Sequence, residues 1–262
     1  MERFEELKKE LLKRAKDADA CKEQYARAYN TQTLEQLMDV CRDNFSWACN
    51  NAVLDIDIIT QYHDEFACGE IYANEDVTQG YLLCNNASVK ACGNASVNAY
   101  DNASVEACGN ASVKAYGNAS VIAYDNASVI AYDNASVIAY DNASVNAYGN
   151  ASVNAYGNAS VIAYGNASVI AYDNASVIAC DNASVIACDN ASVIAYDNAS
   201  VNAYGNASVI AYGNASVIAY GNAYITSYST LEVKLSDNAI YRIKETNTIR
   251  YANPEIKFEL VE

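Results

Sequence analysis

Residues 118–141 read Asn-Ala-Ser-Val-Ile-Ala-Tyr-Asp three times in succession, without substitution or insertion. Outward from this stretch, Asn returns at every eighth position from Asn86 to Asn222, giving eighteen units. Seventeen open Asn-Ala-Ser-Val and the last opens Asn-Ala-Tyr-Ile. Self-similarity at a fixed short period marks a stacked repeat architecture before any local propensity is weighed. Inside each unit the pattern has period two, as in an extended strand. Ala, Val and Ala lie on one face, and Ser, a variable residue and Tyr on the other.

The variable position decides which face is inside. It holds Ile ten times and Asn four times, with Lys90, Glu106 and Lys114 in the remaining units. An unpaired charge in a core is too costly to recur, so this position faces out. Ala-Val-Ala is the core face, with Val121, Val129, Val137, Val161 and Val169 in its central slot. The less regular sequence after 222 fits the same frame. Leu231, Val233 and Leu235 take the inner slots, and Glu232, Lys234 and Ser236 the outer ones.

Gly or Asp followed by Asn closes each unit, and these residues tolerate the left-handed backbone of a tight corner. A two-residue hairpin there would pair Tyr with Ala and mix the two faces at every turn. A coiled path with parallel units keeps them apart. The expected fold is mainly β: a parallel β-solenoid of octapeptide repeats with a small α-helical N-terminal domain. Two octads per 16-residue rung are favoured over three, because a thin two-layer rod suits so small an interior. That choice also stacks Lys90 on Glu106, where a 24-residue rung would set Lys90 on Lys114. Eighteen octads then make nine rungs, roughly 43 Å at about 4.8 Å each.

The chain divides into a helical capping or interaction domain (1–69), a junction (70–85), the solenoid (86–222), and degenerate repeats with a C-terminal cap (223–262). In the first part Phe4, Leu7, Leu11, Ala15 and Ala18 recur at helical steps. Thr33 and Gln36 resemble a capping box opening a second helix with Leu34, Leu37, Met38, Cys41 and Phe45 on one side. A third apolar stretch from Val53 to Phe66 ends at Gly69, read as a left-handed C′ residue; the alternation over Leu54–Ile58 also fits a strand. About 70 residues make a marginal core alone, so this block is expected to dock on the first rungs and cover their open edge. At the other end Ile256, Phe258 and Leu260 alternate after Pro254 and are expected to cap the last rung.

Composition narrows the function. The net charge is −16, and no basic patch is available for direct nucleic-acid binding or for an anionic membrane. No run of about 18 apolar residues spans a membrane, and the start lacks the basic-then-apolar order of a secretory signal. Nine cysteines, an odd number, point away from a closed disulfide framework, and together these features favour a cytoplasmic location. The Asn-Ala-Ser triplets formally match a glycosylation sequon but fall out of the repeat itself.

No catalytic, metal or cofactor site is expected. His63, the only histidine, has no second histidine or Cys/His spacing beside it and reads as a surface residue. Corner Asp residues such as Asp125, Asp133 and Asp141 give way to Gly in nine of seventeen units, which a calcium ligand would not tolerate. Residues 86–222 hold nine acids, against roughly 25 for a DNA mimic of this length at one charge per about 1.7 Å.

The outer face carries the functional reading. Thirteen of seventeen units place Tyr at its last outward slot, and Cys92, Cys108, Cys180 and Cys188 fill the others. Rows of Tyr (Tyr124, Tyr132, Tyr140, Tyr164, Tyr172) and Ile (Ile122, Ile130, Ile138, Ile162, Ile170) would run along the rod. Extended apolar surface of this kind marks association faces, or else the rows pack on themselves and only stabilise the rod. The favoured function is a non-enzymatic structural or interaction protein, partnered by itself, as a homo-oligomer or filament, or by another protein. A DNA-mimic or charge-based inhibitor of a nucleic-acid enzyme stands second, and an ice- or water-binding solenoid third.

Two resemblances accompany this reading. Ala-Tyr-Gly-Asn-Ala-Ser at 147–152 resembles the octad-based 16-residue coils of ice-nucleation proteins, which implies a solenoid with Tyr ladders. Their Thr-x-Thr rows are missing here. The short helical block, the octads and the Asp-Asn-Ala-Ile-Tyr-Arg-Ile tail (237–243) together resemble octapeptide-repeat proteins of gut bacteria and their phages. That resemblance implies the architecture and no particular activity.

Overall fold

The computed structural model describes residues 2–255; the cap expected from Ile256, Phe258 and Leu260 lies outside them. Six helices come first: α1 (Glu2–Asp17), α2 (Lys22–Tyr29), α3 (Leu34–Asp43), α4 (Phe45–Asn50), α5 (Ile56–Gln61) and α6 (His63–Cys68). Strands β1 (Ile71–Ala73) and β2 (Tyr81–Asn85) begin the solenoid. One strand per octad follows from β3 (Ser88–Ala91) to β19 (Ser216–Ala219), each on the Ser-Val-x-Ala residues; β4 (Ser96–Tyr100) runs one residue longer. The last strands are β20 (Tyr224–Ser227), β21 (Val233–Leu235), β22 (Ile240–Ile243) and β23 (Thr248–Tyr251).

Alternate strands build two facing parallel sheets. One has thirteen strands, from β1 through the even-numbered strands to β22 and β23; the other has ten, from β3 through the odd-numbered strands to β21. Every pairing in the repeat joins residues 16 apart, as in Ser144↔Ser160 and Val153↔Val169. The rung is therefore two octads, and Lys90 does stack on Glu106, Nζ to Oε1 at 2.8 Å.

The core is the Ala-Val-Ala face. Val121, Val129, Val137, Val161 and Val169 are at most 2% exposed, and the flanking Ala residues, such as Ala119 and Ala123, are sealed. Small residues let the two sheets lie close, and identical residues stack rung upon rung. Larger inner residues arrive only where the repeat degenerates: Ile225, Tyr241 and Ile243 are all buried. The Tyr241 hydroxyl keeps its polar group satisfied there, 2.6 Å from Ser227 Oγ and accepting from Leu231 N–H at 3.0 Å.

The corners sharpen the sequence expectation. Only the first corner position is left-handed throughout: Gly157 has φ +68 and Gly213 +66, and Asp133 and Asp173 adopt 58 and 56. From Asn94 onward the corner Asn is not left-handed; its side chain forms a ladder instead. Asn166 Nδ2 donates to Asn150 Oδ1 (3.5 Å), and Asn222 Nδ2 to Asn206 Oδ1 (3.2 Å). Several corner carboxylates also accept from the backbone of the rung before, as Asp173 Oδ2 does from Gly157 N–H (3.1 Å) and Asp181 Oδ2 from Gly165 N–H (2.9 Å). An acid stacked on glycine thus caps an N–H that would otherwise face only water.

The helical block differs from its sequence reading in four places. The helix opened by Thr33 ends at Asp43, so that Phe45 opens α4 instead of extending α3. The stretch between Ala20 and Asn30 forms a helix of its own, α2, none of whose residues is fully buried. The apolar run after Val53 breaks into α5 and α6 at Tyr62, whose backbone leaves the helical region, and Asp55 caps the start of α5 by accepting from Ile58 N–H at 2.8 Å. This cap excludes the strand over Leu54–Ile58. Gly69 is not left-handed (φ −94). Glycine is required there because a Cβ would lie 2.5 Å from the Met38 side chain. The capping box is present at α3, where Thr33 accepts from Gln36 N–H (3.3 Å). Its return bond reaches Gln32 N–H (2.7 Å) rather than the cap residue itself. Leu7, Leu37, Ile58, Ile59 and Phe66 share a core with Ile71 and Leu83, so the block is joined to the first rungs through its own hydrophobic interior.

Candidate interaction surface

Two Tyr ladders follow from the 16-residue rung, since successive octads alternate between the sheets. One runs Tyr100, Tyr116, Tyr132, Tyr148, Tyr164, and resumes at Tyr196 and Tyr212 after Cys180. The other runs Tyr124, Tyr140, Tyr156, Tyr172, and resumes at Tyr204 and Tyr220 after Cys188. Neighbouring rings lie 4.9 to 5.4 Å apart between centroids, with planes within 17° of parallel. These are near-parallel stacks at centroid distances within the favoured range. Of the Tyr residues singled out from sequence, Tyr132 and Tyr164 lie on the first ladder and Tyr124, Tyr140 and Tyr172 on the second.

The Ile residues form separate rows beside them. Ile130 and Ile162 stand on the thirteen-stranded sheet; Ile122, Ile138 and Ile170 stand on the ten-stranded sheet. All five are half-buried by their stacked neighbours and flanked by exposed Ser rows. Exposure rises toward the C-terminal part of the rod, to 37% at Ile186, 39% at Tyr196 and 40% at Tyr212. Each of the first rings after a ladder gap, Tyr196 and Tyr204, has lost one stacking neighbour to a cysteine.

Departures from the consensus near the N-terminus have partners, and apart from the Lys90–Glu106 pair no pattern in the repeat announced them. Helix α4 lies on the outer face of the thirteen-stranded sheet. There Lys114 Nζ donates to Ser46 Oγ (2.9 Å), Asn98 Nδ2 approaches the same hydroxyl (3.4 Å), and the Tyr100 hydroxyl donates to Asn50. Asn98 is only 2% exposed. Burial beside this helix raises the pKa of the Tyr100 hydroxyl and pushes the Cys49 thiol up to about 12. On the opposite sheet Lys90 pairs with Glu106. The polar variable residues of the first rungs thus dock the helical block or pair with each other, and the Ile rows begin beyond them.

The nine cysteines divide into one bonded pair and seven free thiols, so they form no closed disulfide framework. Cys92 and Cys108, in stacked slots at the head of the second ladder, are joined by a disulfide, with Cα atoms 4.5 Å apart. Sixteen residues separate them in sequence, which is one rung, so the two slots are adjacent in the fold. A disulfide is at home in an oxidising compartment and free thiols in a reducing one, so cysteine usage does not point to one compartment. Among the described residues no helix is long and apolar enough to cross a membrane. His63 is half-exposed near Asp64 and Glu75, and among the described residues no cluster of His, Cys, Asp and Glu is arranged to hold a metal ion.

Comparison with protein-family models, with curated proteins and with solved structures found no match. The two resemblances drawn from the repeat therefore rest on its residues alone, and what stands is the architecture: a β-solenoid of about ten turns with a helical N-terminus.

Proposed function

We propose that the protein is a non-enzymatic rod whose Tyr, Ile and Ser ladders serve association, with a second copy of the chain as the favoured partner. The observation that supports this is the pair of stacked Tyr ladders flanked by half-exposed Ile rows along both faces. Apolar rows of this extent, interrupted on the Ile side by Asn146, Asn154 and Asn202, are what soluble monomers avoid and association sites display. A second rod presents the same period of about 4.8 Å, so rows of one copy register against rows of another without adjustment. An unrelated partner would need that period by coincidence.

Light scattering and negative-stain electron microscopy of the purified chain test the reading. Lateral pairs or bundles are expected, insensitive to added salt because the contact is apolar. Ile170→Lys combined with Ile186→Lys places two charges in the Ile row of one sheet and should disperse them. A monomer at all accessible concentrations, without a partner in pull-downs, would sink the proposal. Salt-sensitive capture of a basic protein would favour the charge-based inhibitor instead.

A further inference from the structure

Helices α1 to α4 surround a cavity of about 330 Å³ beneath α2. Its floor belongs to the core of the helical block: Leu11, Leu37 and Leu54 are at most 5% exposed. The space exists because the residues facing it are small. Ala15, Ala28 and Ala48, one each from α1, α2 and α4, offer only a methyl group. Protein interiors are ordinarily filled to the density of an organic crystal. An apolar cavity of about 150 Å³ is enough to take up benzene, and this one is about twice that size.

Helix α2 is the roof. It turns Gln24, Tyr25 and Ala28 toward the cavity, all three half-buried, and none of its residues is fully buried. Polar ties hold it down instead. Asn44 Nδ2 donates to Gln24 Oε1 at 3.2 Å, Arg27 pairs with Asp43 at 2.6 Å, and just past the helix Lys8 Nζ donates to the Thr31 carbonyl at 2.6 Å. A segment with little buried apolar contact is drawn from the low-stability end of a fold, where local opening is easy. Cys21 and Trp47 of the lining are exposed, Trp47 at 39%, so the cavity meets solvent beside them.

The lining selects what can bind. Among the described residues it includes no charged side chain; its polar groups are the Gln24 and Asn44 amides, the Tyr25 hydroxyl, the Trp47 indole N–H and the Cys21 and Cys41 thiols. Burial pushes the Cys41 thiol up to about 12, and an ionic ligand would meet the same unfavourable surroundings. Tyr25 and Trp47 offer ring faces and edges to a second ring. We infer that the cavity is a binding site for a neutral aromatic molecule of one or two fused rings, entering beneath α2 and directing any polar substituent toward the Gln24–Asn44 pair. Predominantly apolar walls with a few convergent polar groups are what small-molecule sites display. The site shares no residue with the Tyr and Ile ladders, so binding here and association of rods succeed or fail independently.

Trp47 is the only tryptophan, so its emission reports on the cavity. Titrating the full-length chain with 1-naphthylamine, uncharged at neutral pH, should quench Trp47, saturate in calorimetry at one molecule per chain and slow amide exchange in α2. Ala28→Phe sets a ring in the roof and competes for the same volume, so it should weaken binding about tenfold or more with circular dichroism unchanged. Ala15→Leu fills the space from the α1 wall and serves if the first variant does not fold. Ile170→Lys with Ile186→Lys should leave binding as it is. Naphthalene-1-sulfonate, the same rings carrying a charge, should bind about tenfold more weakly or worse. Absence of saturable binding, binding that survives both filling variants, or binding lost with the Ile variants would overturn the site. Equal affinity for the sulfonate would overturn the assignment of a neutral ligand.

Discussion

Replacing one ring in a ladder measures what the ladder contributes, and the chain contains the control. Tyr132 stacks on Tyr116 and on Tyr148, with centroids 5.0 and 5.4 Å away. Tyr132→Cys removes both contacts and reproduces the natural state of slots 180 and 188. Aromatic pairs contribute about 0.5–1.5 kcal/mol each beyond simple area burial, so two lost stacks cost about 1–3 kcal/mol. The reverse substitution, Cys180→Tyr, restores a ring between Tyr164 and Tyr196 and should stabilise by a similar amount, less about 1 kcal/mol for fixing a new side chain. Cys188→Tyr does the same on the other ladder; the two sites share no stack, so their effects should add within about 0.5 kcal/mol.

Urea unfolding followed by circular dichroism reads these shifts, supplemented by amide exchange around each site, because a repeat array can open locally. If Tyr132→Cys falls within about 0.5 kcal/mol, the range of ordinary surface substitutions, and Cys180→Tyr is neutral, then stacking does not hold the rod together. The ladders would then be surface retained for contact alone. A large effect on stability together with unchanged association by light scattering would mean the opposite.

Other outcomes follow from the core, the corners and the thiols. Ala155→Phe forces a ring into a slot with 0% exposure and should cost about 3 kcal/mol or prevent folding, whereas Ser152→Phe on the outer face of the same strand should leave soluble yield and circular dichroism near wild type. Gly213→Val places a β-branched residue at φ +66, with its Cβ 3.0 Å from the Asp197 backbone; a loss of about 1–2 kcal/mol is expected in urea, while Gly213→Asp should be tolerated, since Asp181 and Asp189 already adopt this geometry. Denatured, unreduced protein should titrate seven thiols and reduced protein nine, from the one disulfide and seven free cysteines. In native protein Cys21 and Cys68 should react first, because burial pushes Cys41 and Cys49 up to about 12 from 9.0. A folded pKa above the unfolded one favours the folded state below pH 9 and loses that contribution as pH rises from 9 toward 12; thermal melts across that window should show the helical block weakening first.

How much was legible follows from what each residue answers to. The solenoid could be read because one rule, inner against outer, is repeated seventeen times, and because Lys90, Glu106 and Lys114 break the apolar pattern on one face only. The 16-residue rung was legible through the Lys90–Glu106 pair, a contact visible in sequence once a period is assumed. The helical block was read less well, since its breaks depend on tertiary context. Gly69 looked like a helix-ending left-handed residue, but it is glycine to make room for Met38, a neighbour 31 positions earlier. The one disulfide was not legible for a related reason. Spacing along a chain says nothing of adjacency until the rung is known, and at one rung apart Cys92 and Cys108 are in contact.

The same logic changes how variation within the repeat is weighed. A substitution such as Ile to Asn or Tyr to Cys needs only one nucleotide change, and drift among recent duplicates accounts for it when the position faces only water. At the first rungs that account fails: Asn98 and Lys114 meet Ser46 of α4, and Tyr100 meets Asn50. Their positions on the thirteen-stranded sheet receive the helix, while Lys90 and Glu106, on the other sheet, find each other. The distinction is testable by exchange. Asn98→Ile and Lys114→Ile return the rungs to consensus and add apolar surface, yet they remove the partners of the half-buried Ser46 hydroxyl. Losing such a hydrogen bond and leaving a polar group unsatisfied costs about 1–3 kcal/mol, so the double variant should loosen the helical block in amide exchange despite its better match to the repeat. The reciprocal exchange, Asn146→Ile in the middle of the rod, has no helix above it and should stabilise or be neutral. If both variants behave alike, the polar residues of the first rungs are drift as well, and the block is held by its hydrophobic interior alone.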